Sequence, residues 1–339
     1  MRPLLRQLAR VMHMAIAVSL VACRDDDDAG PTEPAPGSEN AARFAAAKAT
    51  AESATGSCAA IQPFYWEIGD KSGALGSGSV RQAGNATVYA ATTVMPIASA
   101  SKWIYGAYVA ERRAGVLTPE DIQFLSFRSG YTSFSFSGCD NLDTVAECVA
   151  RSSNGVFTPA HVGRFAYDGA HMQKHASLSA PGMNLGAMAN AALALEIRRV
   201  LGTEIGLSYT QPQLAGGIRS SAADYAIFLR KILKNELHIA SLLGTNSTCT
   251  NPLTCPTAIN TPIDGGLNWN YSIGHWVETD PATGDGSFSS AGAFGFYPWI
   301  NASKTLYGVV ARAGGAGGGE ASAQCGVRIR KAWVTGVAQ

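Results

Sequence analysis

The spacing of apolar residues divides most of the chain after about residue 40 into helices and strands. Apolar residues that recur at helical spacing predict helices, and short runs rich in aromatic and β-branched residues predict strands. The predicted helices are 41–57, 101–114, 189–201, 221–233 and 321–334. The predicted strands are 61–68, 78–80, 92–97, 271–278, 294–301 and 306–312.

The order of these elements predicts an α+β fold. Strands lie in both terminal parts of the chain, and the middle consists mainly of helical segments and loops. We therefore expect one sheet domain built from residues 41–114 and 234–339, with a mainly helical domain, residues 115–233, inserted between its halves. A ligand cleft is expected between the two.

The N-terminus has the pattern of an export signal, which we predict to be residues 1–22. Three arginines precede an apolar run, 11–22, that is too short to span a bilayer as a stable helix. The run ends at Leu20-Val21-Ala22-Cys23, which resembles a bacterial lipoprotein cleavage box with Cys23 as the lipidated residue. An ordinary secretory signal and a retained membrane anchor are the alternatives.

Residues 23–40 are predicted to form a disordered tether. The segment is rich in Asp, Gly, Pro, Glu and Ser and cannot bury enough apolar surface to offset its ordering entropy. The four aspartates at 25–28 lack the spaced ligands of a calcium loop, so we interpret them as a solvated spacer.

The six cysteines beyond Cys23 predict disulfides, because an exported chain meets an oxidising compartment. Short loops favour Cys139–Cys148 and Cys249–Cys255, which leaves Cys58–Cys325 to join the ends of the sheet domain. Six cysteines allow 15 pairings, so sequence alone leaves the connectivity open. A zinc site is disfavoured, since no Cys-x-x-Cys occurs and no histidine lies near a cysteine pair.

Composition excludes one class of partner. The formal net charge is +1, and no stripe of lysine and arginine occurs along the chain. Nucleic-acid binding is therefore not expected. A hydrophobic fraction of 46% and a charged fraction of 15% supply ample material for a buried core.

The candidate chemistry lies in Ser99-Ala100-Ser101-Lys102, where a predicted strand gives way to a predicted helix. Residues three apart share a helix face, so the Ser99 hydroxyl can approach the Lys102 amine. A partly desolvated amine can accept the proton of a serine nucleophile. The helix start also offers backbone N–H groups to an oxyanion.

The residues 96–102 resemble the nucleophile motif of the serine β-lactamase and penicillin-binding-protein superfamily, and the closest branch is that of class C β-lactamases and related esterases and peptidases. Similar segments follow in order at 115–121, 124–131, 164–169, 215–224 and 271–276. This resemblance implies a β-lactamase/transpeptidase-like fold, in which helices flank an antiparallel sheet.

The resemblance also implies roles for individual residues. Ser99 matches the nucleophile, Lys102 matches its proton acceptor, and Tyr167 matches the tyrosine that exchanges protons with the serine and the leaving group. A structural alternative for Tyr167 is a core aromatic beside Phe165. The backbone N–H groups of Ser99 and Ala293 would form the oxyanion hole.

The third motif of the family matches Ser290-Ala291-Gly292, although a shift to Ser289 is an alternative, as is a plain glycine-rich turn. Ser290, Gly292 and Gly169 are the candidate substrate-binding residues. The chain has Gly169 where the family has asparagine, and Ser290 where it has lysine or histidine. Both departures argue against efficient β-lactam hydrolysis.

The expected function is an exported serine hydrolase that cleaves a carboxylic ester or small amide and needs no metal or cofactor. The alternatives are a β-lactamase or D-amino-acid peptidase, and a non-catalytic binding or sensor module. The expected partners are the substrate and, through a lipid anchor only, the membrane of the bacterial cell envelope; secretion is an alternative. His161, His171 and His175 are interpreted as polar or loop histidines, because no Gly-x-Ser-x-Gly elbow supports a Ser-His pair.

Overall fold

The computed structural model describes residues 36–135, 139–263, 268–315 and 317–339. The described helices are α1 Pro36–Ala51, α2 Gly56–Ala59, α3 Ser101–Arg112, α4 Pro119–Leu125, α5 Val145–Ala150, α6 Ala170–Ser177, α7 Asn190–Leu201, α8 Ala222–Leu233, α9 Ile239–Leu242 and α10 Gly318–Thr335. A short 3₁₀ helix, Ala98–Ala100, precedes α3.

The described strands are β1 Phe64–Asp70, β2 Ala74–Val80, β3 Met95–Pro96, β4 Ser129–Tyr131, β5 Phe157–Val162, β6 Phe165–Ala166, β7 Leu207–Tyr209, β8 Ile218–Ser220, β9 Thr248–Cys249, β10 Ala258–Asn260, β11 Asn270–Tyr271, β12 Trp276–Val277, β13 Phe288–Ser289, β14 Tyr297–Ile300 and β15 Leu306–Ala311. Most of the described strands have two to four residues, and the longer ones are β1, β2, β5 and β15.

One eight-stranded antiparallel sheet joins the two ends of the chain, in the order β2-β1-β15-β14-β13-β12-β11-β9. β1 pairs with β15 from Tyr65 opposite Ala311 to Asp70 opposite Leu306. The residues of β1 are nearly all buried, which agrees with a continuous apolar run rather than an alternating one. The α+β architecture with an antiparallel sheet is confirmed.

The terminal helices pack on the outer part of this sheet. The Phe44 ring of α1 stacks on Trp66 of β1 with 6.1 Å between ring centroids. A Cβ at Gly76 of β2 would lie 2.7 Å from the Phe44 ring and 2.9 Å from the Trp333 ring. A glycine at this position therefore lets both helices approach the strand.

The chain between α3 and α8 combines helices with strands of three small sheets, one of which also contains β3 from before α3. The three sheets are β3-β8-β7, β4-β5 and β10-β6. The strands of the β10-β6 pair are parallel, and β10 follows α8 in the chain. The domain boundaries at 114 and 233 remain a prediction. Residues 36–339 form one unit by their contacts.

Three predicted elements differ in the structure. Residues 271–278, predicted as one strand, are the hairpin β11-β12, because Gly274 has a φ of +73° and turns the chain. Its backbone N–H donates to the Leu125 carbonyl at 3.1 Å. A Cβ at Gly274 would lie 2.5 Å from the Lys102 carbonyl, so this turn packs directly on the start of α3.

A second difference lies at the predicted tether. Helix α1 begins at Pro36, so residues 36–40 are helical rather than part of a disordered segment. The predicted strand 92–97 is likewise reduced to Met95–Pro96. The signal segment, Cys23 and the rest of the tether lie outside the described residues.

The structure contains disulfides Cys58–Cys325, Cys139–Cys148 and Cys249–Cys255, which are the three predicted pairs. The first joins α2 to α10 across 267 positions of sequence. In the part of the chain that is described, no helix has the length and apolar character needed to cross a bilayer.

Candidate active site

A tight strand-to-helix turn presents Ser99. The Ile97 N–H donates to the Ile218 carbonyl at 3.0 Å, which ties the turn to β8. Ala98 then adopts a φ of +44°, an uncommon conformation for a residue with a side chain. Such strain costs roughly 1–3 kcal/mol and persists where surrounding contacts enforce it. One such contact is the Tyr225 hydroxyl, which donates to the Ala100 carbonyl at 2.9 Å.

The first residues of α3 are buried on all sides, and this places Lys102 in the interior. Every residue from Ser101 to Ala110 is buried, and Lys102 is 5% exposed. The Lys102 Nζ donates to Ser99 Oγ at 2.9 Å and to the Ala215 carbonyl at 2.8 Å. The amine is therefore held against the serine hydroxyl by a second, fixed acceptor.

Burial changes the protonation of Lys102. Desolvation lowers the pKa of its amine from 10.5 to about 7, and the nearby Asp168 carboxylate raises it in part. A large fraction of the amine is therefore neutral at neutral pH, and a neutral amine has the lone pair needed to accept the serine proton.

Tyr167 follows β6 and lies on the other side of the serine. Its phenol interacts with the Ser99 side chain closely enough for that contact to affect the phenol pKa. The Lys102 Nζ is 4.9 Å from the centroid of its ring. Burial raises the pKa of the phenol to about 12, and the Ser99 hydrogen bond opposes this rise. The phenol is thus protonated at neutral pH and can donate a proton.

The Tyr167 ring is held by aromatic packing and by its backbone. It stacks on Trp276 with 5.2 Å between centroids and an interplanar angle of 14°. Its backbone N–H donates to Asn260 Oδ1 at 2.6 Å. Its ring packs against the hydrophobic core and also lines a cavity together with Ser99, so its catalytic role stays a prediction.

The third motif lies against the nucleophile turn. Ser290 Oγ donates to the Ser99 carbonyl at 3.0 Å, so Ser290 rather than Ser289 contacts the nucleophile residue. Gly292 packs its α-carbon against the Ile97 carbonyl, which leaves no room for a Cβ. Its N–H donates to the Phe296 carbonyl at 2.7 Å.

The backbone amides of Ser99 and Ala293 are the predicted oxyanion hole. Both residues line one cavity. Among the described residues, neither amide has a hydrogen-bond acceptor. Free N–H groups that converge on one point stabilise a developing oxyanion, so the oxyanion hole formed by these two amides stays a prediction.

This cavity has a volume of about 310 Å³. It is lined by Ser99, Tyr167, Pro262, Ile263, Trp269, Trp276, Ala291, Ala293, Gly317, Gly318, Gly319 and Glu320. The predicted substrate-binding residues Ser290, Gly292 and Gly169 are not among them. A larger cavity of about 520 Å³ shares only Trp269 with it and contains none of Ser99, Lys102 and Tyr167 in its wall.

This chain has Gly169 at the position where the family has asparagine. A Cβ at Gly169 would lie 3.5 Å from carbon atoms of the Phe134 ring, so this ring occupies the adjoining space. The neighbouring Asp168 carboxylate accepts from the backbone N–H groups of Ala170 at 2.7 Å and Phe134 at 3.3 Å. These bonds fix the carboxylate that acts on the Lys102 pKa.

The three candidate histidines form hydrogen bonds with residues that do not line the cavity beside Ser99. His171 is buried between Ser129 Oγ at 2.7 Å and the Ala166 carbonyl at 3.0 Å. Burial lowers its pKa to about 3, so it is neutral. His175 contacts Tyr105 and Asp121, and His161 contacts Thr132. None of them lines the described cavity, which agrees with their interpretation as polar or loop histidines.

Sequence analysis missed several parts of this site. The acceptor at Ala215 is a backbone carbonyl, which carries no residue-type signal. Glu320 and Trp269 reach the cavity through tertiary packing. The run Gly317-Gly318-Gly319 at the start of α10 was available as a signal, since glycine allows close approach of another backbone. No group of three His, Cys, Asp or Glu side chains suited to a metal occurs in the described ranges.

No family model matches the chain, and no curated protein matches its sequence. Solved structures do match. A penicillin-binding-protein homologue from Caulobacter crescentus has a TM-score of 0.62 at 10% identity, covering 87% of this chain and 98% of that one. A protein from Bacteroides dorei described as a candidate β-lactamase has a TM-score of 0.56 at 20% identity, covering 82% and 94%.

The chain has the fold of the serine β-lactamase and penicillin-binding-protein superfamily. A D-stereospecific amidohydrolase from Streptomyces shares this β-lactamase-like fold with a TM-score of 0.51 at 12% identity, covering 90% of this chain and all of that one. Identities this low show the fold alone. The likeness to these structures therefore concerns the fold, and the chemistry must be argued from the site.

Proposed function

We propose that this protein is an exported serine hydrolase that cleaves a carboxylic ester or small amide through an acyl-enzyme on Ser99. The observation that carries the proposal is the 2.9 Å contact between Lys102 Nζ and Ser99 Oγ, made by an amine whose burial lowers its pKa to about 7. A serine hydroxyl needs such a base to act as a nucleophile at neutral pH.

Acylation follows from the positions of the three side chains. Ser99 Oγ attacks the substrate carbonyl carbon while its proton passes to the neutral Lys102 amine. The carbonyl electrons move onto oxygen, and the resulting oxyanion accepts hydrogen bonds from the Ser99 and Ala293 amides. The tetrahedral intermediate then collapses and expels the alcohol or amine.

Tyr167 delivers the proton to the leaving group. Its phenol lies on the cavity wall, whereas Lys102 does not, so Tyr167 is the group that can meet the substrate. It donates its proton to the leaving oxygen or nitrogen and regains one from the Lys102 ammonium. In deacylation a water molecule attacks the ester carbonyl, the proton transfers run in reverse, and the acid is released.

Two features support an ester or simple amide over a β-lactam. The Ser290 hydroxyl donates its hydrogen bond to the Ser99 carbonyl. Among the described residues that line the cavity, no cationic side chain is present to bind the carboxylate that a β-lactam carries. The fold shared with the D-stereospecific amidohydrolase supports amide cleavage as the second candidate, with a D-amino-acid derivative as substrate.

Export and lipid attachment through Cys23 belong to the same proposal. The basic start, the apolar run and the cleavage-box residues of the sequence support them, and three disulfides fit an oxidising compartment. We propose location at the bacterial cell envelope, with the substrate as partner, no nucleic acid, and membrane contact through the lipid alone.

A fluorophosphonate probe tests the catalytic part of the proposal. We expect it to label the purified protein and the Ser101→Ala variant, but not Ser99→Ala. Ser101 is the matched control because its Oγ accepts from the Ile218 N–H and the residue does not line the cavity. Absence of labelling in all three proteins would favour a non-catalytic binding module.

Substrate class is then tested by comparing a short-chain nitrophenyl ester with a chromogenic cephalosporin. We expect faster turnover of the ester, with both activities lost in Ser99→Ala. Faster turnover of the cephalosporin would contradict the proposed substrate class and favour a β-lactamase.

A further inference from the structure

Two backbone N–H groups attach the segment that carries Tyr167 to strand β10. The Phe165 N–H donates to the Thr257 carbonyl at 2.8 Å. The Tyr167 N–H donates to Asn260 Oδ1 at 2.6 Å. The second bond differs from the first because its acceptor is a side chain, so a single substitution removes it.

The register of the β10-β6 pair explains why a side chain is needed there. Ala258 lies opposite Phe165 and Asn260 lies opposite Ala166, so the register shifts between the two pairs. Both strands end at the second pair. Tyr167 therefore lies one residue beyond the ladder, where its N–H has no backbone acceptor among the described residues. The amide oxygen of Asn260 takes the place of the missing strand carbonyl.

The strand that carries Asn260 is itself tied to the large sheet. A disulfide joins Cys249 of β9, at the edge of that sheet, to Cys255. The Cys255 carbonyl accepts from the Ala258 N–H at 3.0 Å, at the start of β10. Asn260 is not among the described residues that line the cavity beside the nucleophile. Its route to the site is therefore the backbone of Tyr167.

The aromatic contacts of Tyr167 fix the tilt of its ring more firmly than its position within the ring plane. Trp276 stacks on the ring with 5.2 Å between centroids. Phe127 and Tyr271 contact it at interplanar angles of 75° and 87°. These are contacts between ring surfaces, which tolerate offsets. The position of the phenol oxygen therefore depends also on where the backbone of residue 167 is held.

We propose that Asn260 is a positioning residue that places the Tyr167 phenol for proton transfer to the leaving group. This inference rests on the proposed function, in which Tyr167 is the general acid. Loss of the Asn260 acceptor lets the Tyr167 backbone shift, whereas Ser99 and Lys102 keep their mutual contact. The defect should therefore appear where the leaving group is protonated, and not in the attack on the carbonyl carbon.

A series of acetate esters whose leaving groups have rising pKa tests the inference. Nitrophenolate leaves without a proton, whereas the alkoxide of benzyl alcohol needs one, so a general acid matters only for the weaker leaving groups. The series comprises para-nitrophenyl, para-chlorophenyl, phenyl and benzyl acetate, with the released alcohol measured by chromatography. The quantity compared is kcat/KM, which includes only the steps up to acylation. It is measured for the wild type, Tyr167→Phe, Asn260→Ala, Asn260→Asp, Asn85→Ala and the double variant Tyr167→Phe/Asn260→Ala.

Tyr167→Phe should lower kcat/KM for benzyl acetate by about 10²–10⁴-fold and leave nitrophenyl acetate nearly unchanged. Asn260→Ala should show the same pattern at about 10–100-fold, because a displaced acid loses part of its effect. Asn260→Asp keeps the acceptor oxygen and should restore the wild-type dependence on leaving-group pKa. In the Tyr167→Phe background, Asn260→Ala should not change this dependence further, since no phenol is left to position.

The dependence compares several substrates on one variant, so a general loss of folding or activity cancels. Asn85→Ala is the matched control. Asn85 Oδ1 likewise accepts from a backbone N–H, that of Thr87 at 2.9 Å, and Asn85 is not among the described residues that line the cavity. Its dependence on leaving-group pKa should equal that of the wild type.

In Asn260→Ala, an equal loss for every leaving group, or no loss, would overturn this inference and leave the proposed function standing. A further change of the dependence in the double variant, or an aspartate variant that behaves like the alanine variant, would do the same. A wild-type dependence in Tyr167→Phe would overturn both the inference and the proposed role of Tyr167. Absence of Ser99-dependent hydrolysis of every ester would overturn the whole proposed function.

Discussion

The proposed role of Lys102 as the base for Ser99 predicts that the reaction depends on pH. Lys102 acts as a base only when neutral, and burial lowers its pKa to about 7. The phenol of Tyr167 has a pKa raised to about 12, so it stays protonated throughout the neutral range. The acidic limb of the pH profile therefore reports Lys102.

The size of the effect follows from that pKa. The neutral fraction of an amine with a pKa of 7 is about 0.9 at pH 8 and about 0.01 at pH 5. We therefore expect kcat/KM to fall about tenfold per pH unit below pH 6, and about 100-fold between its plateau and pH 5. The assay is hydrolysis of an uncharged nitrophenyl ester, with the absorbance of nitrophenol calibrated at each pH.

The Asp168→Asn variant is a control for which the direction of the pKa shift is predicted. The Asp168 carboxylate raises the Lys102 pKa, so its removal should move the limb to lower pH. The asparagine can keep the acceptor for the Ala170 N–H. A rate that stays flat from pH 5 to 9, or a limb above pH 9, would refute the reasoning that a desolvated Lys102 is the base.

The same pKa difference predicts a stability effect. Between pH 7 and 10.5 the unfolded chain binds more protons at Lys102 than the native chain, so the free energy of unfolding should rise with pH in this window. The full difference corresponds to roughly 5 kcal/mol at 1.36 kcal/mol per unit. Below pH 7 both states are protonated and the slope ends. Lys102→Met should remove this slope in denaturant titrations at pH 7 and 9.

Three further variants test the roles of single contacts. Tyr167→Phe should lower kcat for an amide by about 10²–10⁴-fold while leaving the melting temperature near that of the wild type, because it removes one proton donor. Replacing Cys58 and Cys325 by serine should lower the free energy of unfolding by about 2–5 kcal/mol, since this bridge closes 267 positions of sequence; an unchanged denaturation midpoint would show that the bridge does not form. Arg330→Met should destabilise by about 3–5 kcal/mol, because it leaves the buried Glu278 carboxylate without its cation; adding Glu278→Gln should recover part of the loss, and failure to do so would contradict this assignment.

The elements that could be predicted from sequence are those with a dominant local pattern. Helix α3 has apolar residues at helical spacing and strand β1 is rich in aromatic residues. Ser99 and Lys102 lie three apart at the start of a helix, where helical geometry alone brings them together. The two short disulfides also followed from loop closure. Each of these depends on residues close in sequence.

The errors have equally local causes. Residues 271–278 have the apolar pattern of one strand, but Gly274 turns the chain so that it can pack on α3. Pro36 was included in the tether because of the polar residues around it, although proline is favoured in the first turn of a helix. A stronger weight on these two residue types would have given both boundaries.

The cavity wall could not be predicted in the same way. Ser99, Trp269 and Glu320 meet only after the two ends of the chain join in one sheet and α10 packs across it. The lowered pKa of Lys102 depends on its burial by surrounding elements, which a tetrapeptide does not encode. The sequence showed that Gly169 and Ser290 replace two polar residues of the family, but it did not show which residues line the cavity.

The most direct test of the account is to locate the acyl group during turnover. The protein is mixed with a nitrophenyl ester, quenched with acid, digested with trypsin and analysed by mass spectrometry. Trypsin releases residues 82–102 as one peptide, in which fragmentation separates Ser99 from Ser101. We predict the acyl mass on Ser99, with no adduct in Ser99→Ala. An acyl group on any other residue, or ester hydrolysis that persists in Ser99→Ala, would contradict the account.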